Sequence, residues 1–313
     1  MPINDLVSVI ISAYNHERYI EECVRSIMAQ TYQNIELLVI DDGSTDSTFA
    51  KLQELKPECE KRFVRFVLET QKNCGTRVTG NKLIDMAQGK YIYALASDDA
   101  AKPDAIEKLY TFLATNPDYV LAVGDNEMID ADSQRIYWDD RRNVVLQSQA
   151  VCKTVGDDLH INPKNNKHPD FGNYADLLKS NYIPNGYLYL RQAMLDVGKY
   201  DESVLLEDWY MHLQLSKVGK YKYFPEVLFS YRWHTTNTIT CQVFKDKVKE
   251  IYRQIYEHEK DYCFTHGYKK LWKKLWSKNF GFGAWRKKML NIRFSRRKKI
   301  VRLFGITFYE RGE

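Results

Sequence analysis

The chain has 313 residues, of which 44% are hydrophobic, enough for one large α/β domain with a core, with or without a small appendage. Six scattered cysteines without a CxxC pair exclude a zinc knuckle or a dense disulfide framework and favour reduced thiols in the cytosol. The stretch Met1 to Asp5 does not resemble a signal peptide, and no run of about 18 apolar residues predicts a membrane-spanning helix.

The formal net charge of +5 is unevenly distributed along the chain. Residues 269–302 contain fourteen Lys or Arg and no Asp or Glu, whereas the remaining 32 basic residues share the rest of the chain with all 41 acidic ones. We therefore expect an acidic catalytic body and a basic C-terminal arm that suits an anionic surface.

The first 125 residues alternate between predicted strands and helices. Continuous apolar runs indicate buried parallel strands, and apolar residues at helical spacing indicate helices packed against them. A doubly wound sheet binds its ligands at the carboxyl ends of the strands, so polar groups at those ends are the candidates for chemistry. The strands are Val7–Ser12, Ile35–Ile40, Val64–Leu68, Tyr91–Ala96 and Tyr119–Val123, and the helices are Glu17–Gln30, Thr48–Leu55, Thr79–Gln88 and Pro103–Thr115.

The second half of the sequence is less regular. We expect residues 130–175 to form a mobile connection near the site, because they are polar and show little periodicity. Order returns in 176–234, and residues 245–262 have a helical pattern. We predict a domain over 1–240, with a nucleotide-binding half (1–125) and an acceptor half (126–240), and a helical, basic extension over 241–313. The elements expected in the acceptor half are helices near Tyr174–Ser180 and Trp209–Lys217, and strands near Gly186–Arg191 and Tyr221–Phe224.

Polar clusters follow the predicted strands, and each has an ordinary explanation when taken alone. An Asp-Asp-Gly-Ser turn is usually a helix cap, an Asp pair is usually a solvated turn, and a His beside aromatics is usually structural. Their occurrence together at strand ends is what indicates a site. The clusters are Ser12–Asn15, Asp41–Ser44, Ser97–Asp99, Glu207–Trp209 and Tyr231–His234.

A nucleotide-sugar donor would explain why acidic groups are needed at these positions. A departing diphosphate requires a divalent cation, which Asp99 can bind while Asp98 accepts a ribose hydroxyl. A sugar hydroxyl is a poor nucleophile, so a carboxylate must accept its proton. Asp208 is the candidate base, because it begins a predicted helix whose dipole favours the ionised form.

These motifs resemble the family-2 glycosyltransferases of the GT-A fold. The resemblance covers roughly residues 6–235 and implies a Rossmann-like, mostly parallel sheet flanked by helices, with an inverting displacement at the anomeric carbon. It is carried by the runs Val7–Asn15, Gln30–Leu37, Ile40–Asp46, Ala96–Asp99, Glu207–Trp209 and Tyr231–His234.

The resemblance also implies roles for individual donor-site residues. Ser12 and Tyr14 would border the base, with Tyr14 stacked on it and Asn15 beside them, while Asp42 would accept the imide N–H of the base. Asp98 would hold the ribose and Asp99 the metal, Mn²⁺ or Mg²⁺.

Roles follow for the second half of the chain as well. Asp208 would be the general base, with Glu207, Trp209 and Asn185 in the acceptor region, although Asn185 also fits a plain turn before a strand. For His234, a metal or diphosphate ligand and a packing residue are equally supported.

The chain departs from the family pattern at two positions. Ala96 stands where many relatives have Asp, which leaves a single metal-binding carboxylate to be completed by diphosphate, water and His234. Gly80 stands where many relatives have Arg; Arg77 can contact the donor instead, or be an ordinary solvated side chain.

The basic arm begins with Lys269–Trp276, which places Trp272 and Trp276 beside Leu271 and Leu275 on one helical face. This composition favours a helix lying on an anionic membrane through residues 269–302, and the alternative is a core-packing helix with a solvated basic face. No nucleic-acid-binding motif is found, so no nucleic-acid partner is expected.

The sequence thus predicts an inverting transfer of a hexose or N-acetylhexosamine from a UDP-sugar to a lipid-linked or lipopolysaccharide glycan, at the cytoplasmic face of the plasma membrane. A dTDP-rhamnose donor and a nucleotide-binding module without catalysis are the alternatives. A nucleotidyltransferase is disfavoured, because the loop Ala13–Arg18 contains no glycine.

Overall fold

The computed structural model describes residues 4–163, 166–235, 237, 242–281, 290–294, 298–303 and 306–312. The chain divides into two compact units, Met1–Cys241 and Gln242–Glu313, which are described separately below.

The first unit begins with the predicted alternation of strands and helices. Strands β1, β2 and β4 are largely apolar and buried, as expected for strands covered on both faces, whereas β3 at the edge of the sheet is partly exposed. Their bounds are β1 Val7–Ala13, α1 Ile20–Met28, β2 Ile35–Asp41, α2 Thr48–Arg62, β3 Arg65–Thr70, α3 Thr76–Met86, β4 Tyr91–Ala94, β5 Ala100–Ala101, α4 Ala105–Thr115 and β6 Tyr119–Ile129.

The second half of this unit adds shorter elements and one long strand. Residues 130–175, predicted as a loop, contain two short strands and two short helices, and Trp138 is buried against Cys152 there. Their bounds are β7 Arg135–Trp138, β8 Val144–Val145, α5 Val155–Asp158, α6 Tyr174–Leu177, β9 Tyr187–Leu190, α7 Arg191–Asp196, α8 Glu207–Leu215 and β10 Lys220–Arg232.

One mixed sheet joins these strands in the order β3-β2-β1-β4-β9-β6-β10-β5. β1, β2, β3 and β4 are parallel, β9 is antiparallel to both neighbours, and β10 runs parallel to β6. The fold class predicted from the sequence is therefore confirmed as an α/β fold with a mostly parallel sheet. The carboxyl ends of β1, β2 and β4 meet at one edge, where the polar motifs lie.

The main core is formed by apolar residues of β1, β2 and β4 packed against α1, α2 and α4. In α1, Ile20, Cys23, Val24 and Ile27 share the buried face, while Glu21 and Arg25 lie on the solvent side. This division is the usual basis for packing a surface helix on a sheet.

Three elements extend well beyond their predicted ends. β6 continues from Val123 to Ile129. α2 continues through Pro57 to Arg62. β10 was predicted to end at Phe224, where Pro225 and Glu226 interrupt the strand pattern, but it continues to Arg232 across a register shift between Phe224 and Val227. A bulge tolerates the missing proline N–H, and it lets one strand carry Tyr231 and Arg232 to the site edge.

The second unit contains helices followed by strands. The helices are α9 Gln242–His258, α10 Lys260–Thr265 and α11 Lys269–Phe280, and they agree with the helical prediction. Beyond Gly281, the described residues do not form the predicted helical extension. Strands β11 Leu290–Phe294, β12 Lys298–Leu303 and β13 Ile306–Gly312 form an antiparallel sheet instead.

The predicted apolar face of α11 is packed within this unit. Trp272 and Leu275 are buried, the Trp272 Nε1–H donates to the carbonyl of Tyr256 at 2.6 Å, and Trp276 stacks on Trp272 at 5.0 Å between ring centroids. The core-packing alternative therefore describes Trp272 and Leu275. Among the described residues, no helix is long and apolar enough to cross a membrane.

Candidate active site

The ends of β1 and β2 are tied together by side-chain to backbone hydrogen bonds. Asn15 lies in the left-handed region with φ of 53°, and its side-chain oxygen accepts the backbone N–H of Thr45 at 2.8 Å. In return, Ser44 Oγ accepts the N–H of Asn15 at 2.9 Å. These contacts hold Tyr14, 44% exposed, at the rim of the sheet, while Ser12 is half-buried inside it.

Asp42 organises the loop that precedes α3. Its carboxylate accepts the backbone N–H groups of Cys74 at 3.0 Å and Gly75 at 2.8 Å, and the side-chain amide of Gln71 at 2.9 Å. Burial alone would raise the pKa of Asp42, but these donors lower it below its ordinary value. Both carboxylate oxygens of Asp42 are thus engaged inside the protein.

Close approach of this loop requires Gly43, which has φ of +76°. A Cβ at Gly43 would lie 2.8 Å from the backbone nitrogen of Asn73, so no larger residue fits without moving the loop. The neighbouring Asp41 is also buried, and its Oδ1 has no hydrogen-bond partner among the described residues.

The Asp98–Asp99 turn follows β4 and is held from beneath by a buried arginine. Arg232 is fully buried; its backbone N–H donates to Asp99 Oδ1 at 2.8 Å and its Nε–H to the carbonyl of Asp98 at 2.6 Å. Its remaining guanidinium donors reach Glu22, Ser133 and the carbonyl of Asp130. Asp99 therefore lies inside the turn, bonded to protein, with 1% of its surface exposed.

Asp98, rather than Asp99, lies beside two histidines. His16, Asp98 and His234 each present one ligand atom, and these atoms all lie within 4.8 Å of one another. His234 Nε2 is 3.0 Å from Asp98 Oδ2, and His16 Nδ1 is 2.8 Å from the hydroxyl of Ser97, an outer contact of the kind that fixes a metal-binding imidazole.

The electrostatics of this cluster suit a cation. Burial alone would raise the pKa of Asp98, but the hydrogen bond from His234 and the nearby His16 lower it, so the carboxylate is ionised. Burial lowers the pKa of His16, which favours the neutral imidazole that a metal requires. Two imidazoles and one carboxylate form a donor set that fits a divalent transition metal such as Mn²⁺ better than Mg²⁺, which prefers oxygen ligands.

A second acidic pair, Glu207 and Asp208, begins α8 in a different environment. Burial, then the charge of Asp208, raises the pKa of Glu207 to about 7, and burial raises the pKa of Asp208. Asp208 Oδ2 accepts the side-chain amide of Asn181 at 3.0 Å, and Oδ1 accepts the N–H of Trp209 at 2.6 Å. A carboxylate with raised proton affinity can accept a proton.

The two acidic pairs are linked through one short segment of the chain. Asn181 bonds Asp208, and Asn185, four residues later, bonds the side chain of Asp99. Four residues span at most about 14 Å when fully extended, which limits the separation of the two pairs. Burial, then the charges of Asp99, Asp98 and Asp208, raises the pKa of Tyr231, so one hydroxyl lies within electrostatic reach of both pairs.

Two predicted residues have mainly structural contacts. Arg77 donates to the carbonyl of Val204, which ties the start of α3 to the segment before Asp208. Trp209 is 2% exposed, and its Nε1–H donates to the carbonyl of Leu177 at 2.7 Å, so its indole anchors α8 on α6.

The structure adds three residues that the sequence argument missed: His16, Asn181 and Arg232. His16 directly follows the Tyr14-Asn15 motif, and its position at the end of β1 was a usable signal. Asn181 and Arg232 carried no comparable signal, because each acts through contacts with distant parts of the chain.

Comparison with known proteins decides the family. The model of glycosyl transferase family 2 matches residues 8–174, more than half of the chain. The chain belongs to glycosyl transferase family 2. A glycosyltransferase of Haemophilus influenzae without further characterisation is 32% identical over 240 residues, which cover 74% of this chain and 67% of that protein. The chondroitin synthase of Escherichia coli is 28% identical over 238 residues, 74% of this chain but only 30% of the synthase.

Solved structures of two other proteins share the fold of this family-2 chain. The TarS 1–349 structure from S. aureus, in complex with UDP-GlcNAc, superposes with a TM-score of 0.59 at 16% identity, covering 80% of this chain and 65% of TarS 1–349. A mannosyltransferase of Pyrobaculum calidifontis, in complex with GDP-Man and Mn²⁺, gives 0.59 at 15% identity, with 82% and 64% covered. The chain is therefore a glycosyltransferase with a GT-A fold.

Proposed function

We propose that this glycosyltransferase transfers a hexose or an N-acetylhexosamine from a UDP-linked donor to a hydroxyl group of a glycan, with inversion at the anomeric carbon. The observation that carries the proposal is the presence of two unlike acidic sites, linked through the segment from Asn181 to Asn185. Asp98 is ionised beside two imidazoles, whereas Asp208 has a raised proton affinity and no cationic partner among the residues that the structure describes. A single displacement needs one site of each kind.

In this mechanism Asp208 accepts the proton of the acceptor hydroxyl as the new glycosidic bond forms, and the nucleoside diphosphate leaves from the opposite side. His16, Asp98 and His234 would hold a divalent cation, which supplies charge neutralisation to the departing diphosphate. Arg232 and Asn185 keep the Asp98–Asp99 turn in place. Asp99, assigned to the metal from the sequence, thereby becomes a support for the turn and Asp98 the ligand.

The nucleotide base is assigned to the rim formed by β1 and β2. Tyr14 is exposed there and can stack on a base, and Ser12, Asn15 and Asp42 shape the same rim. Because both oxygens of Asp42 are engaged by the 71–75 loop, we assign the hydrogen bond to the base to Asp41, whose Oδ1 has no partner among the described residues. A buried acceptor without a donor is costly, and a base N–H would satisfy it.

The UDP-linked donor is supported by the UDP-GlcNAc bound to the similar TarS structure, whereas the Pyrobaculum mannosyltransferase holds GDP-Man with Mn²⁺. A thermal-shift panel of UDP-GlcNAc, UDP-glucose, GDP-mannose and dTDP-rhamnose, each with Mn²⁺ or Mg²⁺, separates these donors, because the ligand that binds best stabilises the fold most. If dTDP-rhamnose gives the largest increase in melting temperature, the alternative donor is established. If none of the nucleotide-sugars changes the melting temperature, the proposed donor site is wrong.

The acceptor is proposed to be a lipid-linked or lipopolysaccharide glycan at the cytoplasmic face of the plasma membrane. The chondroitin synthase among the relatives supports a glycan product and does not bear on the lipid link or the membrane. Five lysines of α11 are exposed, and they can contact anionic headgroups even though Trp272 and Leu275 are packed inside. Sedimentation with phosphatidylglycerol vesicles, compared with neutral phosphatidylcholine vesicles, tests this. Equal sedimentation with both would exclude the electrostatic contact. The lysines are Lys269, Lys270, Lys273, Lys274 and Lys278.

A further inference from the structure

A buried chain of hydrogen bonds leads from the interior of the protein to the proposed base. Asn181 donates its side-chain amide to Asp208 Oδ2 at 3.0 Å. Its oxygen Oδ1 lies 3.2 Å from Nδ1 of His212, and Nε2 of the same ring lies 3.0 Å from the hydroxyl of Tyr189. Three elements are connected in this way: the segment before β9, β9 itself and α8.

The chemistry of the groups fixes the direction of every bond in the chain. A carboxylate only accepts, so the amide nitrogen of Asn181 must face Asp208 and the amide oxygen must face His212. That oxygen also only accepts, so the proton of His212 is on Nδ1. Nε2 of the neutral ring is then an acceptor, and Tyr189 donates to it. All donors in the chain point towards Asp208.

Burial keeps the central ring of the chain neutral. His212 has no exposed surface, and burial lowers its pKa to about 3. Tyr189 is equally buried, and burial raises its pKa well above the ordinary value. Neither group changes its charge near neutral pH, so the chain is a fixed dipolar support and carries no proton.

We propose that Asn181 is a positioning residue for the base Asp208, and that His212, as its Nδ1–H tautomer, in turn orients Asn181. The inference rests on the proposed function of Asp208. The amide N–H occupies one position of Oδ2 and stabilises the ionised carboxylate, and the N–H of Trp209 does the same at Oδ1. The carboxylate cannot rotate without breaking both bonds, so its remaining lone pairs keep one orientation for the acceptor hydroxyl.

Other groups also set the proton affinity of Asp208. Glu207 on the same helix repels its charge, and Arg77 from α3 offsets the charge of Glu207. Tyr187 on β9 and Tyr200 in the loop before α8 face the pair, and Tyr231 on β10 lies within reach of Asp208. All three hydroxyls have raised pKa values and are neutral in the working range, so among these groups the charges are those of Glu207 and Arg77.

The tautomer can be observed without any substrate. In protein labelled with ¹⁵N-histidine, His212 should show a protonated Nδ1 and an unprotonated Nε2 from pH 5 to pH 8, with the signal assigned by its loss in His212→Asn. A protonated Nε2 with a bare Nδ1, or a ring that titrates in this range, would overturn the proposal whatever the enzyme proves to catalyse.

Two matched substitutions test the link to the base. The amide of Asn can take the place of Nδ1, whereas that of Gln reaches towards Nε2, so His212→Asn should retain the donor to Asn181 and His212→Gln should lose it. With hydrolysis of the best-binding donor as the readout, we expect kcat within about threefold of the parent for Asn and a loss of roughly tenfold to a hundredfold for Gln. Equal losses in both variants, at equal thermal stability, would contradict the orienting role.

Asn181→Asp places a second carboxylate against Asp208 with almost no change in shape. One proton must then be shared, so the acidic limb of the kcat profile should move up by roughly one pH unit or more. An unmoved limb would overturn the positioning role of Asn181. If Asp208→Asn retains full activity, the proposed base is wrong, while the NMR result on His212 is unaffected; the two failures are therefore distinguishable.

Discussion

The two acidic pairs have different surroundings, which give them opposite properties. The Asp98–Asp99 turn has histidines on one side and a buried arginine beneath it, and the pKa of Asp98 is lowered despite burial. Asp208 accepts hydrogen bonds from amide groups and lies beside the like charge of Glu207, and the pKa values of both carboxyl groups are raised. The same residue type thus serves as a permanent anion at one site and as a proton acceptor at the other.

The largest effect is expected from removing the proton acceptor. Asp208→Asn keeps the shape but cannot accept a proton, so kcat should fall by about 10²–10⁴ while donor binding, measured by thermal shift, is retained. The control is Asp118→Asn, the same change at an exposed ion pair with Lys220. An Asp208→Asn variant with parental kcat would show that the second acidic pair is not the base.

The second-largest effect is expected from removing the negative charge of Asp98 in the first acidic pair. Asp98→Asn removes the single carboxylate of the His16 and His234 cluster, and affinity for Mn²⁺, measured by calorimetry with UDP present, should drop at least about 10–100-fold. Asp99→Asn is the matched variant, because that side chain is bonded to Arg232 inside the turn. A larger loss of affinity for Asp99→Asn than for Asp98→Asn would return the metal to Asp99.

For Asp98 and Asp99, the sequence predicted the position in the fold better than it predicted which carboxylate faces the histidines. β1, β2 and β4 are apolar runs whose ends carry the motifs, so their convergence at one edge followed from the parallel topology alone. Which carboxylate meets the histidines depends on Arg232, a contact made 133 residues away from Asp99. No local pattern encodes that contact, and the sequence assignment of the metal to Asp99 rested on the carboxylate pair after a strand and on the family resemblance, neither of which specifies the tertiary contacts of each carboxylate.

For the second acidic pair, the sequence predicted that Asp208 lies at the start of a helix, but it did not predict which residues surround Asp208. Asn181 precedes β9, a four-residue antiparallel strand, and His212 lies among apolar residues of α8, where it reads as an ordinary core residue. Burial of both the ring and the carboxylate depends on tertiary packing. The region 130–175 was missed for a similar reason, since strands of two to four residues produce little periodicity.

A smaller effect is expected at the base-binding rim. Asp41→Asn replaces a charged acceptor that has no described partner at Oδ1, and affinity for UDP should fall about tenfold, as for loss of one hydrogen bond to a charged group. Asp42→Asn should instead disturb the 71–75 loop, because its carboxylate holds Cys74 and Gly75. Calorimetry with UDP on both variants sharpens the assignment, and an unchanged affinity in Asp41→Asn would reject it.

The smallest effect concerns Glu207, whose pKa of about 7 also makes the fold pH-dependent. Between pH 4.5 and 7 the folded chain binds more protons at Glu207 than the unfolded chain does, so this group's contribution to stability falls as pH rises. Glu207→Gln should therefore raise Tm by roughly 1–3 °C at pH 8 and by nothing at pH 4.5.

Removing the like charge should also lower the pKa of Asp208, which moves the acidic limb of the kcat profile to lower pH by about half a unit. Differential scanning calorimetry and a pH–rate profile measure the two shifts. If the acidic limb of the kcat profile moves to higher pH instead, Glu207 assists the base rather than repelling its charge. The contrast between the two acidic pairs would then depend on Asp208 alone.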